Sequence, residues 1–217
     1  MTKYYAIIVA GGSGSRMQTT EAKQFLLLDG LPVLMHTLQA FNDCILKPQI
    51  LLVLNIHQHQ YWEDLCTKFD FAVPHVVVKG GQERYHSVKN ALKLIKSNGI
   101  VAVHDAVRPL TSASLIEKSF LVAGEKGNAV AAVHPTDSIR VEESNRNKAL
   151  NRDVVYLIQT PQTFEALQLK KAYQQPFRND FTDDASVVEY SGYEINLIEG
   201  ERNNLKITYP IDLTIVY

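Results

Sequence analysis

An α/β fold around a mostly parallel sheet is what this sequence predicts, on three observations. Apolar runs of four or five residues lack polar alternation, the pattern of strands buried on both faces. Between them, apolar residues recur at helical spacing. Glycines or an Asn-Gly pair mark several of the changes from one to the other. The composition permits such a core: 217 residues, 46% hydrophobic and 21% charged. That apolar content and the net charge of -1 exclude a disordered chain and argue against a general nucleic-acid binder. No apolar run is long enough to span a membrane, so none is expected as a partner.

Tyr5–Val9 is the first strand and runs into Ala10-Gly11-Gly12-Ser13-Gly14. Val33–Phe41 is a helix behind Pro32, with Leu34, Leu38 and Phe41 on one face. Ile50–Leu54 is the second strand. Trp62, Leu65, Cys66 and Phe69 then mark a helix. His75–Val78 is a strand ending in Gly80-Gly81. Val88, Ala91, Leu92 and Ile95 make a helix closed by Asn98-Gly99. Ile100–Val103 is the next strand. Ser114-x-x-Glu117 reads as a capping box for a helix ending near Gly127, and Ala129–Val133 follows as a strand. The polar stretch 138–153 breaks the rhythm and reads as a β-hairpin arm. A strand at Val154–Ile158, a helix from Thr163 to about Gln174 and a short helix at Asp184–Tyr190 come next. Ile195–Ile198 and Leu205–Thr208 read as late strands, and Ile211–Tyr217 as a terminal helix. One domain over 1–217, with an arm at about 137–153, accommodates these elements.

Candidate chemistry collects after the strands, where open α/β sheets bind ligands. Gly11, Gly12 and Gly14 would let backbone N–H groups approach a phosphate, or would simply make a βα turn. Met17 stands where a third dinucleotide-loop glycine would be, and Asn55 where strand two would end in a ribose-binding acid. Both count against an NAD-dependent oxidoreductase. Arg16 and Lys23, close behind the glycines, suggest a phosphate clamp. Asp105 could hold a metal or a hydroxyl and Arg108 a phosphate, or they are a cap and a surface charge. His104 fits a hydrogen-bonded core residue better than a base, and His57-x-His59 reads as loop. Ser87 could donate to a base or sugar. Lys206, inside an apolar run, is either an edge-strand lysine or one aimed at substrate. Met1–Gly12 lacks a leader's apolar segment, and Cys44 and Cys66 make no CxxC, which predicts a cytoplasmic protein.

Together these motifs resemble the 2-C-methyl-D-erythritol 4-phosphate cytidylyltransferase family. The resemblance rests on Ala10–Met17, Lys23-Gln24-Phe25, Gly80-Gly81 with Glu83-Arg84, His104–Pro109, Thr160-Pro161-Gln162, Thr182–Ser186 and Asn204–Thr208. It implies a Rossmann-like nucleotidyltransferase fold and a homodimer joined by the hairpin arm. It implies transfer of a cytidylyl group from CTP to methylerythritol phosphate in isoprenoid precursor synthesis. Carried over by position, Arg16 and Lys23 would stabilise the triphosphate. Lys206 and the partner arm's Arg152 would position the substrate phosphate. Asp105, Arg108, Ser138 and Thr182 would line the polyol pocket. Ala10, Gly11, Gly12, Gly14, Gly81, Ser87 and Ala106 would meet the nucleotide. Mg²⁺ would be held mainly by the CTP phosphates, with Asp105 a further ligand candidate. Ala22 departs from the family's usual proline and Gln82 from a frequent acid. A ribitol 5-phosphate cytidylyltransferase shares the glycine loop and chemistry, and an inactive nucleotide-binding protein would share the loop alone.

Overall fold

In the computed structural model, which describes residues 2–10 and 21–215, the chain opens with strand β1 (Tyr4–Val9). A small hairpin, β2 (Leu27–Leu28) and β3 (Leu31–Pro32), leads into helix α1 (Val33–Asp43). The alternation continues through β4 (Gln49–Leu54), α2 (His59–Lys68), β5 (Val76–Lys79) and α3 (Arg84–Leu92). Then come β6 (Ile100–Asp105), α4 (Ala113–Lys126) and β7 (Asn128–Val133). Strands β8 (Ile139–Glu143) and β9 (Arg146–Leu150) pair only with each other. The chain ends with β10 (Leu157–Glu165), α5 (Ala166–Ala172), α6 (Asp184–Tyr190), β11 (Leu197–Glu199) and α7 (Pro210–Ile215).

Seven strands form one sheet in the order β11-β7-β10-β6-β1-β4-β5. All run parallel except β10, which is antiparallel to both neighbours. This is the mostly parallel Rossmann-like sheet the sequence predicts. The order reverses at β1: β4 and β5 build outward on one side, then β6 returns to the other. That reversal opens a crevice at the carboxyl ends of the strands.

The core lies on both faces, as continuous apolar strands require. Ala6 and Ile8 pack with Leu38 and Phe41 of α1, Trp62 of α2 and Phe120 of α4. Tyr5 and Ile7 point the other way, to Val88 of α3, Leu169 of α5 and Val187 of α6. Each fully buried side chain of this size contributes about 1.5–3 kcal/mol. Helix α4 stops at Gly127, whose φ of 88° is the left-handed conformation that ends helices without a Cβ penalty.

Several local expectations fail. The strand expected at Val154–Ile158 starts only at Leu157, because Arg152–Val154 forms a 3₁₀ turn. The cap of α4 is Ser112, whose Oγ accepts from Leu115 N; Glu117, read with Ser114 as a capping box, instead accepts from Ile45 N. Thr163 is not the start of a helix but a buried residue of β10, and α5 begins at Ala166. Helix α3 ends at Leu92, short of Ile95. Leu205–Thr208 joins no ladder; its backbone is held to the loop after β6 through Ile207 N to Val107 O at 2.9 Å. The β2–β3 hairpin, unread in the sequence, turns on Asp29-Gly30, both at positive φ, the signature of a type I′ turn.

Candidate active site

The crevice is a cleft of roughly 600 Å³. It is framed by the ends of parallel strands: Val9 and Ala10 at the end of β1, Asn55 after β4, Gly81 after β5, and Asp105 and Ala106 at the end of β6. Small residues bring the main chain close to the space. Gly81 has no room for a side chain, since a Cβ would sit 2.3 Å from the Cβ of His86. Its N–H donates to Oγ of buried Ser87 at 3.0 Å, which fixes the turn on the first helical turn of α3.

Asp105, the last residue of β6, is the electrostatic centre. Its Oδ2 takes Lys206 Nζ at 3.0 Å and Arg108 Nε at 3.2 Å, and its Oδ1 faces Arg84 Nε at 3.8 Å. Burial would raise this carboxyl, but Lys206, Arg84 and Arg108 overcome that and hold it below the usual carboxylate range. It is therefore an ionised, acceptor-only group at neutral pH. Arg108 sits behind it, 7% exposed and outside the cleft lining, with Nη1 donating to Asn204 O at 2.6 Å. Arg108 thus ties Asp105 to the segment that carries Lys206.

Lys23 reaches the cleft from a short 3₁₀ turn, Lys23–Phe25. Its Nζ donates to Ile207 O at 3.1 Å, one residue beyond Lys206, so the two lysines converge. The turn is anchored beside it. Gln24 is almost wholly buried and donates to Ala10 O and to Gln58 Oε1, each at 3.1 Å.

His104 is the core residue the sequence favoured. It is fully buried, edge-on to the Phe41 ring, with Nε2 3.3 Å from Thr111 Oγ1. Burial, aided by Arg108 and Arg84 and opposed by Asp105, holds its pKa down to about 3. It is neutral when folded and takes up a proton on unfolding below its ordinary value near 6.5. Stability is therefore lost as pH falls from about 6.5 toward 3, with a slope approaching 1.4 kcal/mol per pH unit. Urea unfolding of the metal-free protein at pH 7, 6 and 5 should show this fall. His104→Gln should flatten it; an unchanged slope would mean another group takes the proton.

The other predicted residues separate into three sets. Ala10, Lys23, Gly81, Ser87, Asp105, Ala106 and Lys206 meet in the cleft. Gly11, Gly12, Gly14 and Arg16 lie outside the described residues. Ser138, Arg152 and Thr182 are exposed and do not line the cleft of their own chain. Arg152 stands at the base of the hairpin, with Nη1 donating to Thr136 O at 2.6 Å. His57 and His59, read as loop, occupy a 3₁₀ turn and the first residue of α2. Sequence reasoning gave no role to Arg84, Gln24, Asn204 or Asp184. Their signal was faint: each stood inside a quoted motif, but the contacts that give them work join distant segments.

The family model for 2-C-methyl-D-erythritol 4-phosphate cytidylyltransferase (IspD) matches residues 4–216. The protein of that name from Porphyromonas gingivalis is 48% identical over 215 residues, covering 98% of this chain and 96% of that one. Its counterpart from Bacteroides fragilis is 44% identical over 210 residues, covering 97% and 96%. Among solved structures, 4-diphosphocytidyl-2C-methyl-D-erythritol synthase from Anaerococcus prevotii superposes with a TM-score of 0.84 at 27% identity, covering 99% of this chain and 94% of that one. The cytidylyltransferase of Francisella tularensis gives 0.79 at 30% identity, covering 99% and 98%.

Proposed function

We propose a reaction course that starts from family membership: the chain belongs to the 2-C-methyl-D-erythritol 4-phosphate cytidylyltransferase family, whose model matches residues 4–216. It transfers the cytidylyl group of CTP to 2-C-methyl-D-erythritol 4-phosphate, giving 4-diphosphocytidyl-2-C-methyl-D-erythritol and pyrophosphate. This reading holds over ribitol 5-phosphate as acceptor, since the relatives from Porphyromonas gingivalis and Bacteroides fragilis carry the methylerythritol phosphate name.

An oxygen of the acceptor phosphate attacks the α-phosphorus. The new P–O bond forms as the bond to the bridging α–β oxygen breaks, and pyrophosphate leaves with that electron pair. No covalent enzyme intermediate is needed, because a phosphate monoester is already largely dianionic at pH 7. The obstacle is repulsion between two polyanions. Charges fixed in place beforehand lower it without reorganisation. Lys23, with Arg16, stabilises the triphosphate as charge grows on the α-phosphate. Lys206, with Arg152 from a second subunit, positions the acceptor phosphate. Asp105, braced by Arg108, and Ser138 and Thr182 serve the polyol. Ala10, Gly11, Gly12, Gly14, Gly81, Ser87 and Ala106 surround the nucleotide. The convergence of Lys23 and Lys206 across one cleft is the observation that carries this reading.

Mg²⁺ would add screening of the triphosphate charge. Among the described residues no group of three His, Cys, Asp or Glu side chains converges to hold a metal. Asp105 already faces three cations, so it offers one oxygen at most. The ion's other ligands would be phosphate oxygens and water.

A homodimer completes the site. The hairpin 139–150 stands off the main sheet, and apolar side chains at its base are open: Val154 is 74% exposed and Leu157 49%. Such a cluster fits an interface. The free thiols Cys44 and Cys66 suit a cytoplasmic location, and no described helix is long and apolar enough to cross a membrane.

The test is pyrophosphate release with CTP or UTP, each with methylerythritol phosphate or ribitol 5-phosphate. CTP with methylerythritol phosphate should exceed every other pair by at least about tenfold in kcat/KM. Equal use of UTP would overturn the nucleotide pocket, and equal use of ribitol 5-phosphate the acceptor.

A further inference from the structure

Arg84 begins α3 directly after the glycine turn and lines the cleft. Its guanidinium is held from behind. Nη2 donates to Asp184 Oδ2 at 2.6 Å, and Asp184 is fully buried at the start of α6. The other oxygen of Asp184 accepts from Tyr173 OH at 2.6 Å. Tyr173 is itself buried and stacked on Tyr85 with ring centres 4.7 Å apart. The carboxylate therefore has one orientation, and so does the arginine on it.

In front, Arg84 Nε stands 3.8 Å from Asp105 Oδ1. This is the oxygen that Arg108 and Lys206 leave alone, since both bind Oδ2. The guanidinium thus bridges a wholly buried carboxylate and one facing the cleft. Burying a charge such as Asp184 is costly, and an apolar pair of the same shape would stabilise the fold as well. What the buried pair supplies is a fixed direction for the guanidinium, whose planar fork cannot swivel like an ammonium.

We propose that Arg84, clamped by Asp184, is a positioning residue for the polyol end of the acceptor: it fixes Asp105 so that Oδ1 accepts the acceptor's hydroxyl groups. The chemistry suits such a ligand. A polyol phosphate brings hydroxyl donors and an anion together. Here an ionised acceptor, Asp105, adjoins a half-exposed cation, Lys206. Asp184 touches no substrate and acts through Arg84.

This inference rests on the acceptor being a polyol phosphate. Steady-state constants for both substrates are compared in wild type, Arg84→Gln, Asp184→Asn and the double variant. Both single variants should raise KM for methylerythritol phosphate about tenfold or more, with KM for CTP within about threefold. The double variant should be no worse than Arg84→Gln, because both changes break one relay. Arg84→Lys keeps the charge but not the fork and should show a smaller shift of the same kind; it carries the test alone if Asp184→Asn does not fold. An unchanged acceptor KM in Arg84→Gln, an equal rise in both KM values, or additive single effects would each overturn the proposal. Wild type that turns over CTP without using methylerythritol phosphate would overturn the functional reading, and this inference with it.

Discussion

Lys23→Ala should lower kcat about 10²–10³-fold while the fold stays intact. Loss of one preorganised charge at a developing anion has this size in other enzymes. The lysine stands in the cleft on a turn that other bonds hold: Gln24 on Ala10 and Gln58, and Phe25 N on Ala22 O at 2.8 Å. Its bond to Ile207 O is one contact of the 204–208 segment, which keeps Ile207 N on Val107 O and Asn204 on Thr160 O. The loss should therefore fall on turnover, with an unchanged circular dichroism spectrum and a small shift in melting temperature. A variant that keeps most of its kcat would remove Lys23 from the transition state.

Mixing two dead enzymes should restore activity. Arg152 is exposed at the base of the hairpin, outside its own chain's cleft, so its proposed role needs a second subunit. In a two-fold dimer each site would combine Lys23 of one chain with the partner's arginine. When Lys23→Ala and Arg152→Ala subunits exchange at random, half the dimers are mixed. Each mixed dimer then holds one site with both lesions and one intact site, giving about a quarter of wild-type activity. If Arg152 served its own chain, every site would keep a lesion. A dead mixture with exchange shown by mass spectrometry would refute the shared site.

The alternation of buried strands and helices was legible because it depends on local periodicity. Ile50–Leu54 and Ala129–Val133 have no polar face to show, so burial on both sides follows from them directly. The direction of β10 was not legible. Its polar residues Gln159, Thr160, Gln162 and Thr163 are all buried, each with hydrogen-bond partners on distant segments, such as Thr163 Oγ1 on Ser119 Oγ. Nothing local says that a Thr or Gln will be paired inside. The same limit governs the site. Asp105 after an apolar run read as a candidate by position alone. Its ionisation depends on Arg84 and Lys206, far away in the sequence, and the Arg84–Asp184 pair joins two helices whose packing no window of residues reveals. The Asp29-Gly30 turn is different: its sequence signal was present, but the flanking strands are only two residues each, too short for period-two alternation to appear.

The place of β10 in the sheet also governs how the chain can be assembled. Strand β10 lies between β6 and β7, which precede it in sequence and never touch along that seam. A growing chain that has emerged only to Val133 has both strands made and the gap between them open. Each presents an unsatisfied backbone edge, the kind of surface that recruits other chains. Synthesis must pass the whole hairpin before residues 157–165 arrive to close it. The arm thus sets a delay on the ribosome: the segment proposed to join two subunits must be made before either one has a continuous sheet. Pairing across such separations is slow and leaves edges open meanwhile. An insertion that lengthened the arm would extend that exposure while leaving every contact of the finished fold unchanged.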